Sequence, residues 1–459
     1  MSQSLPLFSA QVQFLNDRLA LIHIPLDLYP FFLQPILQLI FHDVPPIEDS
    51  HTDEIDLRDL NISEPTSPAF LNISITPVEC SIVCLRELAE LYFRPLAEKF
   101  NKNVPFEAPH LSISKEDFIV MQVDGQGLDA GQRVLELTSP LAMAGVSIFF
   151  ISTYFSDYIL VPHGSRGHVT QALENRGFNF EVSSDAFINS SSNLQYRSSP
   201  PSPDAQRSPP VTPPPSTLSE LQTRTFATLR KHNIHARVDK SLRIVQCAAQ
   251  YSSSSRSSSP TILRPSLVTA LILDKPRFLS LTLTATDPAA SILLEKRLLP
   301  RFSVDPMFAA SQDTYSNYSL DDSNNLLLVS KGDILIPIML DLRDLPLEAT
   351  GIVCGVASRL AAATQTREPI SGSKSDEHED HEDDDDDVSS VEQTWREKSD
   401  LPRVQALLHS VPPDPDSAYP DAVDISFLST VRAGTVIVGE RELERAMAAL
   451  DAESAGSNM

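Results

Sequence analysis

Glycine is scarce in this chain, cysteine and tryptophan scarcer: 14 glycines, 4 cysteines and 1 tryptophan among 459 residues. Few glycines leave little material for a phosphate-cradling loop, and none is spelled out. Gly125, Gly127 and Gly131 are spaced for a loop, not for a dinucleotide fingerprint. No nucleophile elbow and no pair of histidines at helical spacing is present either. His163 and His168 read as exposed loop residues. An enzyme therefore has no positive sign in its favour, and the chain is expected to be non-enzymatic. Cys80, Cys84, Cys247 and Cys354 are too scattered for a structural metal site. Cys80 and Cys84 share a strand face with Ile82, so buried reduced thiols are expected.

Positive charge is also in deficit. With 36 Lys and Arg against 61 Asp and Glu the formal net charge is −25. That excludes nucleic acid or an anionic membrane as the main partner. No long apolar run is uninterrupted. The most apolar window, Leu19 to Phe41, carries Pro25, Asp27, Pro30 and Pro35, which breaks a spanning helix. The first residues lack a basic region and a cleavage motif, so no signal peptide is expected.

What the chain has in quantity is proline, 36 residues of it, and they cluster. Residues 183–217 hold eight prolines between Pro200 and Pro215 and read as a disordered linker. Ser199, Ser202, Ser208 and Thr212 each precede a proline there, which suits proline-directed phosphorylation or simply accompanies disorder. Residues 252–260 form a serine-rich spacer. Residues 365–418 form an acidic insertion, with ten acidic residues and two histidines between Asp376 and Asp387. That run reads as a solvated loop, with weak metal or basic-partner binding as the alternative.

The folded remainder is organised around Val134 to Val161. Val134, Leu137, Leu141 and Ala144 recur at helical spacing. Gly145 ends the helix. Val146 to Thr153 reads as a strand, residues 155–157 as a turn, and Tyr158 to Val161 as a second strand. The same pattern returns near the C-terminus. Residues 138–144 match 357–363, Ser152–Thr153 matches Ser429–Thr430, and Ile159–Val161 matches Val436–Val438. A repeat this long implies a tandem duplication. Upstream, Val12 to Pro25 reads as a strand pair turning at Asn16–Asp17, followed by a helix near residues 29–41. A hairpin around Pro77 and a helix over 86–100 complete a β-α-β-β-α unit. In the second half, the serine spacer is read as replacing the first helix. Leu267 to Leu273 with Phe278 to Leu283 is read as the hairpin. The expected units are 10–110, 111–182, 218–310 and 326–450. Units of this size are marginal alone, so a sheet shared between pairs is expected.

This arrangement suits a ligand. The loop ending at Gly351 presents free N–H groups at a helix start, which can hold a carboxylate. Across a pseudo-twofold interface, Ser147 and Ile148 would supply a hydroxyl and backbone polar groups. A small amino acid would fit between them. The alternative is that this surface only packs the halves together.

Residues 139–161 (SPLAMAGVSIFFISTYFSDYILV), 351–363 (GIVCGVASRLAAA) and 423–430 (VDISFLST) resemble the CASTOR, or GATS-like, family of ACT-domain proteins. The resemblance implies an α+β fold of tandem ACT-like βαββαβ units in two duplicated halves, with antiparallel sheets and helices on one face. It also implies a homodimer, a cytoplasmic location, no cofactor, and amino-acid sensing that acts through a GATOR-type complex on TOR signalling. Carried over by position, the ligand contacts fall on Ser147, Ile148, Gly351, Ile352, Thr430 and Val431. Two positions depart from the pattern. The acid that meets a guanidinium falls on Gly434, and a second glutamate falls on Ala349. A closed pocket for arginine needs a carboxylate, so arginine is disfavoured. Asp157 keeps an acid at the equivalent place in the first half. The competing expectation is a ligand-free ACT-repeat scaffold.

Overall fold

The computed structural model describes residues 11–41, 70–102, 105, 109–124, 130–180, 215–249, 263–287, 289–302, 327–329, 334–364 and 425–451. The Ser/Pro linker up to residue 214, the serine spacer, the phosphorylation candidates and the acidic insertion lie outside the described residues.

One order of elements returns four times. The first block runs β1 (Gln11–Pro25), a 3-10 turn (Leu26–Phe32) into α1 (Leu33–Ile40), β2 (Phe70–Ile75) and β3 (Glu79–Leu85). It continues through α2 (Arg86–Leu88, Ala89–Phe93 and Arg94–Asn101 in succession) to β4 (Ser112–Ile113). The second block is β5 (Phe118–Asp124), α3 (Ala130–Met143), β6 (Phe149–Ser152), β7 (Asp157–Pro162), α4 (Arg166–Glu174) and β8 (Asn179–Phe180). After α5 (Leu218–Lys231) and β9 (Arg237–Val238) comes the third block: β10 (Ile244–Ala249), α6 (Leu263–Ile272), β11 (Leu279–Thr284), β12 (Ala290–Glu295) and β13 (Leu327–Val329). The fourth is β14 (Leu335–Asp341), α7 (Ile352–Thr364), β15 (Ile425–Ser429), β16 (Ala433–Gly439) and α8 (Leu443–Asp451).

All four blocks share one sheet. Its order is β10-β12-β11-β2-β3-β1-β5-β7-β6-β15-β16-β14, and Ile244 of β10 pairs with Leu335 of β14. The sheet thus closes into a ring of twelve strands, which removes its edges. The period-2 alternation of each strand decides which side chains face outward. Leu71, Ile73 and Ile75 of β2 and Cys80, Ile82 and Cys84 of β3 lie under α1, α2 and α6. Ile119, Met121, Ile159, Val161, Val436 and Val438 lie under the helices of blocks two and four. The inner face carries Leu21, Phe70, Phe118, Phe149, Tyr158, Phe278, Leu428 and Ile437. All four cysteines are buried and free, and burial raises the thiol of Cys80 far above its usual range and that of Cys84 to about 12. Among the described residues no helix is long and apolar enough to cross a membrane.

Three local readings of the sequence are corrected. Val12 to Pro25 is a single strand, β1, whose register against β5 shifts between Leu15 and Leu19. The residues Asn16–Asp17 therefore make an irregularity and no turn. Of the stretch Leu267 to Leu273, all but Leu273 belongs to helix α6, and the hairpin is β11 with β12. Val268, Thr269 and Ile272 suggest a strand, but Leu263, Leu267, Ala270 and Leu271 sit at helical spacing and are all buried in one cluster. The predicted strand from Val146 shortens to Phe149–Ser152. Its first three residues leave the ladder because Gly145, at φ +68°, closes α3 in a Schellman turn. There Val146 N–H reaches Leu141 O at 2.9 Å and Gly145 N–H reaches Ala142 O at 3.1 Å.

Helix α5 lies against α7 at very close range. Phe226 packs under the Arg359 guanidinium, 3.5 Å from ring centroid to Cζ. A Cβ on Gly355 would stand 2.5 Å from Thr225 Oγ1 and 2.6 Å from Thr225 Cβ. Rotation cannot relieve a clash with a Cβ, so the helices would have to part. Alanine at Gly355 gains about 1 kcal/mol of helix propensity but overpacks the contact by about 1–3 kcal/mol. Gly355→Ala is therefore expected to lower stability in urea or thermal unfolding. An unchanged midpoint would mean that α5 does not sit on α7 this way.

Candidate functional site

Each of the four hairpins turns on a threonine. Thr76 Oγ1 accepts the N–H of Glu79 at 3.3 Å, and Thr153 Oγ1 that of Ser156 at 3.1 Å. Thr284 Oγ1 accepts from Asp287 at 2.9 Å, and Thr430 Oγ1 from Ala433 at 3.1 Å. This hydroxyl-to-backbone bond is what threonine offers at a turn. The turns of blocks two and four then reach across the ring. Tyr154 N–H donates to Ser291 Oγ at 2.8 Å, and Val431 N–H donates to Ser81 Oγ at 3.3 Å.

Glu79 anchors the second of these contacts. Its residue is fully buried. Thr430 Oγ1 donates to Oε1 at 2.6 Å, Arg432 N–H donates to the same oxygen, and His23 Nδ1 meets Oε2. A buried carboxylate persists only with such partners.

The two seams between equivalent strands differ. Between blocks one and three, β2 and β11 are joined by six residue pairs, from Leu279 opposite Ile75 to Thr284 opposite Phe70. Between blocks two and four, β6 and β15 share one pair, Leu428 opposite Ile151. Ser152 Oγ adds a bond by accepting Phe427 N–H at 3.1 Å.

The residues singled out from the sequence fall as follows. Ser147 and Ile148 are half-buried, between the end of α3 and the start of β6. Ile148 and Ile352 pack on the same outer cluster, with Val353 and Leu345. Gly351 is buried at φ +79° ahead of α7. Its open face meets α5: a Cβ there would lie 3.0 Å from Leu221 Cδ1, and its carbonyl accepts Thr225 Oγ1 at 3.2 Å. Thr430 is turned to Glu79, and Val431 packs in the inner cluster. Ala349 is half-buried against the outer cluster. His163 is half-buried and His168 exposed.

Asp157 and Gly434 hold equivalent places, each paired beside a serine: Ser152 with Asp157, Ser429 with Gly434. Asp157 is 2% exposed and accepts from Arg133 Nε of α3 at 2.5 Å. Burial pushes its carboxyl above the usual range, against the pull of Arg133 and Ser152. Sequence reasoning missed Glu79, Arg133, Ser152 and Ser429. The matched Ser-Thr pairs were the available signal for the serines. Nothing in the spacing announced Glu79. Among the described residues no group of three His, Cys, Asp or Glu is placed to hold a metal ion.

Comparison with known proteins identifies residues 113–175 as an ACT domain. That span covers β5 through α4, the block carrying Ser147, Ile148 and Asp157. No curated protein matches the chain. Among solved structures, a structural-genomics protein from Agobacterium tumefaciens is 18% identical, with 38% of this chain and 92% of that one covered and a TM-score of 0.22. Aspartate kinase from Synechocystis is 10% identical, with 97% and 55% covered and a TM-score of 0.27. The ligand-free regulatory subunit of aspartate kinase from Thermus thermophilus is 10% identical, with 37% and 98% covered and a TM-score of 0.24.

The Arg133–Asp157 pair makes a direct test of this geometry. Removing one partner of a buried pair strands the other charge, at a cost of about 3 kcal/mol. Arg133→Met should destabilise by that order in urea unfolding. Arg133→Met with Asp157→Leu should recover most of the loss. Equal losses in the single and double variants would show that the two side chains do not interact.

Proposed function

We propose that this chain is a non-enzymatic regulatory protein that binds a small amino acid at the seam between β6 and β15. The observation that carries the reading is the difference between the seams: six bonded residue pairs join β2 to β11, and one joins β6 to β15. Backbone groups left out of a ladder must find other partners, and an amino acid's ammonium and carboxylate are suited to them. The proposed ligand contacts are Ser147 and Ile148 ahead of β6, Ile352 at the start of α7, and Thr430 and Val431 after β15. Gly351 belongs to its frame, where it admits Leu221. The ACT domain at 113–175 supports a regulatory, ligand-binding role. The fourfold return of β-α-β-β, with a threonine at each turn, supports descent by tandem duplication.

The finer reading rests on the resemblance of 139–161 and 351–363 to CASTOR-type proteins. It makes the chain a cytoplasmic, homodimeric nutrient sensor that acts through a GATOR-type complex on TOR signalling. One observation favours a ligand-free scaffold instead: Leu221 already covers the open face of Gly351.

Titration calorimetry of the full chain with the twenty amino acids separates the two. Heat from at least one, abolished by Ser147→Trp at an unchanged thermal midpoint, is the expected result. No heat from any of them with folded protein supports the scaffold. Undiminished affinity in Ser147→Trp moves the site elsewhere.

A further inference from the structure

The two halves meet at Ile151 opposite Leu428, and those residues are equivalent in the repeat. Contacts on one side of that pair should therefore return on the other. On the first side Phe427 N–H donates to Ser152 Oγ at 3.1 Å. Asp157 stands beside Ser152 in the ladder, and Arg133 holds Asp157. That corner is polar, buried and filled by its own charges.

The other corner keeps the serine, as Ser429, but has Gly434 where the first has Asp157 and Ile352 where the first has Arg133. The neighbours of Gly434 are apolar: a Cβ there would lie 3.4 Å from Leu342 Cδ1 and 3.9 Å from Leu340 Cβ. Ser429 is 9% exposed, and its hydroxyl is buried without a hydrogen-bond partner. The charges on the adjoining turn are already engaged, since Arg343 Nε donates to Asp341 at 2.9 Å. A buried hydroxyl without a partner is unfavourable, and a charged ligand group here would lack the counter-charge that Arg133 and Asp157 give each other in the other half.

We infer that Ser429 is the specificity-determining residue of the seam, and that the ligand is an L-amino acid with an uncharged, hydrogen-bonding side chain. This rests on the amino-acid-binding reading given above. The ligand's side chain takes the place that the Arg133–Asp157 pair fills in the other half, and its polar atom bonds Ser429 Oγ. A guanidinium, an ammonium or a carboxylate is excluded because Gly434 and Ile352 supply no counter-charge.

The test is calorimetry of the full chain with L-threonine, L-glutamine, L-leucine, L-arginine and L-aspartate. L-threonine or L-glutamine should bind tightest. Ser429→Ala should weaken that ligand at least tenfold with no fall in thermal midpoint, because the alanine removes only the orphaned hydroxyl. Ile352→Arg with Gly434→Asp should install the missing pair and abolish binding in a folded protein. Tightest binding of L-arginine, L-aspartate or L-leucine would overturn the inference and leave the seam standing as a site. So would unchanged affinity in Ser429→Ala. No heat from any of the five in wild-type protein would remove both the site and its specificity.

Discussion

The ring closes because the tip of one half's hairpin finds its hydrogen-bond acceptor on the other half. Tyr154 N–H needs Ser291, Val431 N–H needs Ser81, and the carboxylate of Glu79 needs Thr430 and Arg432. The acceptors cannot turn to water: Glu79 is fully buried, and Ser81 and Ser291 nearly so. Each bond left unmade would cost about 1–3 kcal/mol, and a stranded carboxylate more. Neither half satisfies its own groups. Glu79 and Thr430 are 351 residues apart, so the contact forms only after a long loop has closed. Assembly of the four blocks is thus a single event as far as these atoms are concerned.

The same bonds explain why one seam is zipped and its counterpart is not. Successive N–H groups of a strand point to opposite neighbours. Thr430 N–H bonds Ala433 O within its own hairpin. The next N–H, that of Val431, lies in the turn beyond β15 and donates across the ring to Ser81. Tyr154 does the same toward Ser291 at the far end of the seam. Both turns leave the ladder, and only the central pair, Ile151 with Leu428, survives between them. Blocks one and three accept these N–H groups on Ser81 and Ser291. Their strands β2 and β11 remain free to pair along six residues, with Asn72, Ser74, Ser280 and Thr282 bonded to one another on the inner face.

Much of this architecture could be read from residue order, and the part that could not has a physical reason. Helix α3, its glycine stop and the β6–β7 hairpin follow from local spacing and turn chemistry, which act within a few residues. The repeat at 357–363 exposed α7 because both helices bury the same apolar stripe. Helix α6 was misread because its residues suit either state and only burial against α1 decides. Glu79 was invisible for a different cause. A glutamate before a strand carries no sign that its partners lie in another block. The ligand positions were placed by likeness to another family, which could not foresee that Leu221 of α5 would cover Gly351.

Where a repeated structure departs from its own symmetry, the departure itself needs a cause. The threonine turns, the cross-ring N–H bonds and the Ile151–Leu428 centre all obey the repeat. The corner at Ser429 does not. Packing alone would favour its correction, since alanine at 429 would remove an unpartnered hydroxyl and asparagine or aspartate at 434 could supply it with a partner. A chain selected only as a scaffold gains nothing from the mismatch, which lowers stability by about 1–3 kcal/mol. The hydroxyl of Thr435, on the strand beside Ser429, is likewise buried without a partner, so the departure from local consistency covers this corner of the seam, and such departures mark positions held for something other than folding. The half that carries Arg133 and Asp157 completes its corner with its own side chains. The half without them leaves a buried hydroxyl beside a seam that one residue pair holds together.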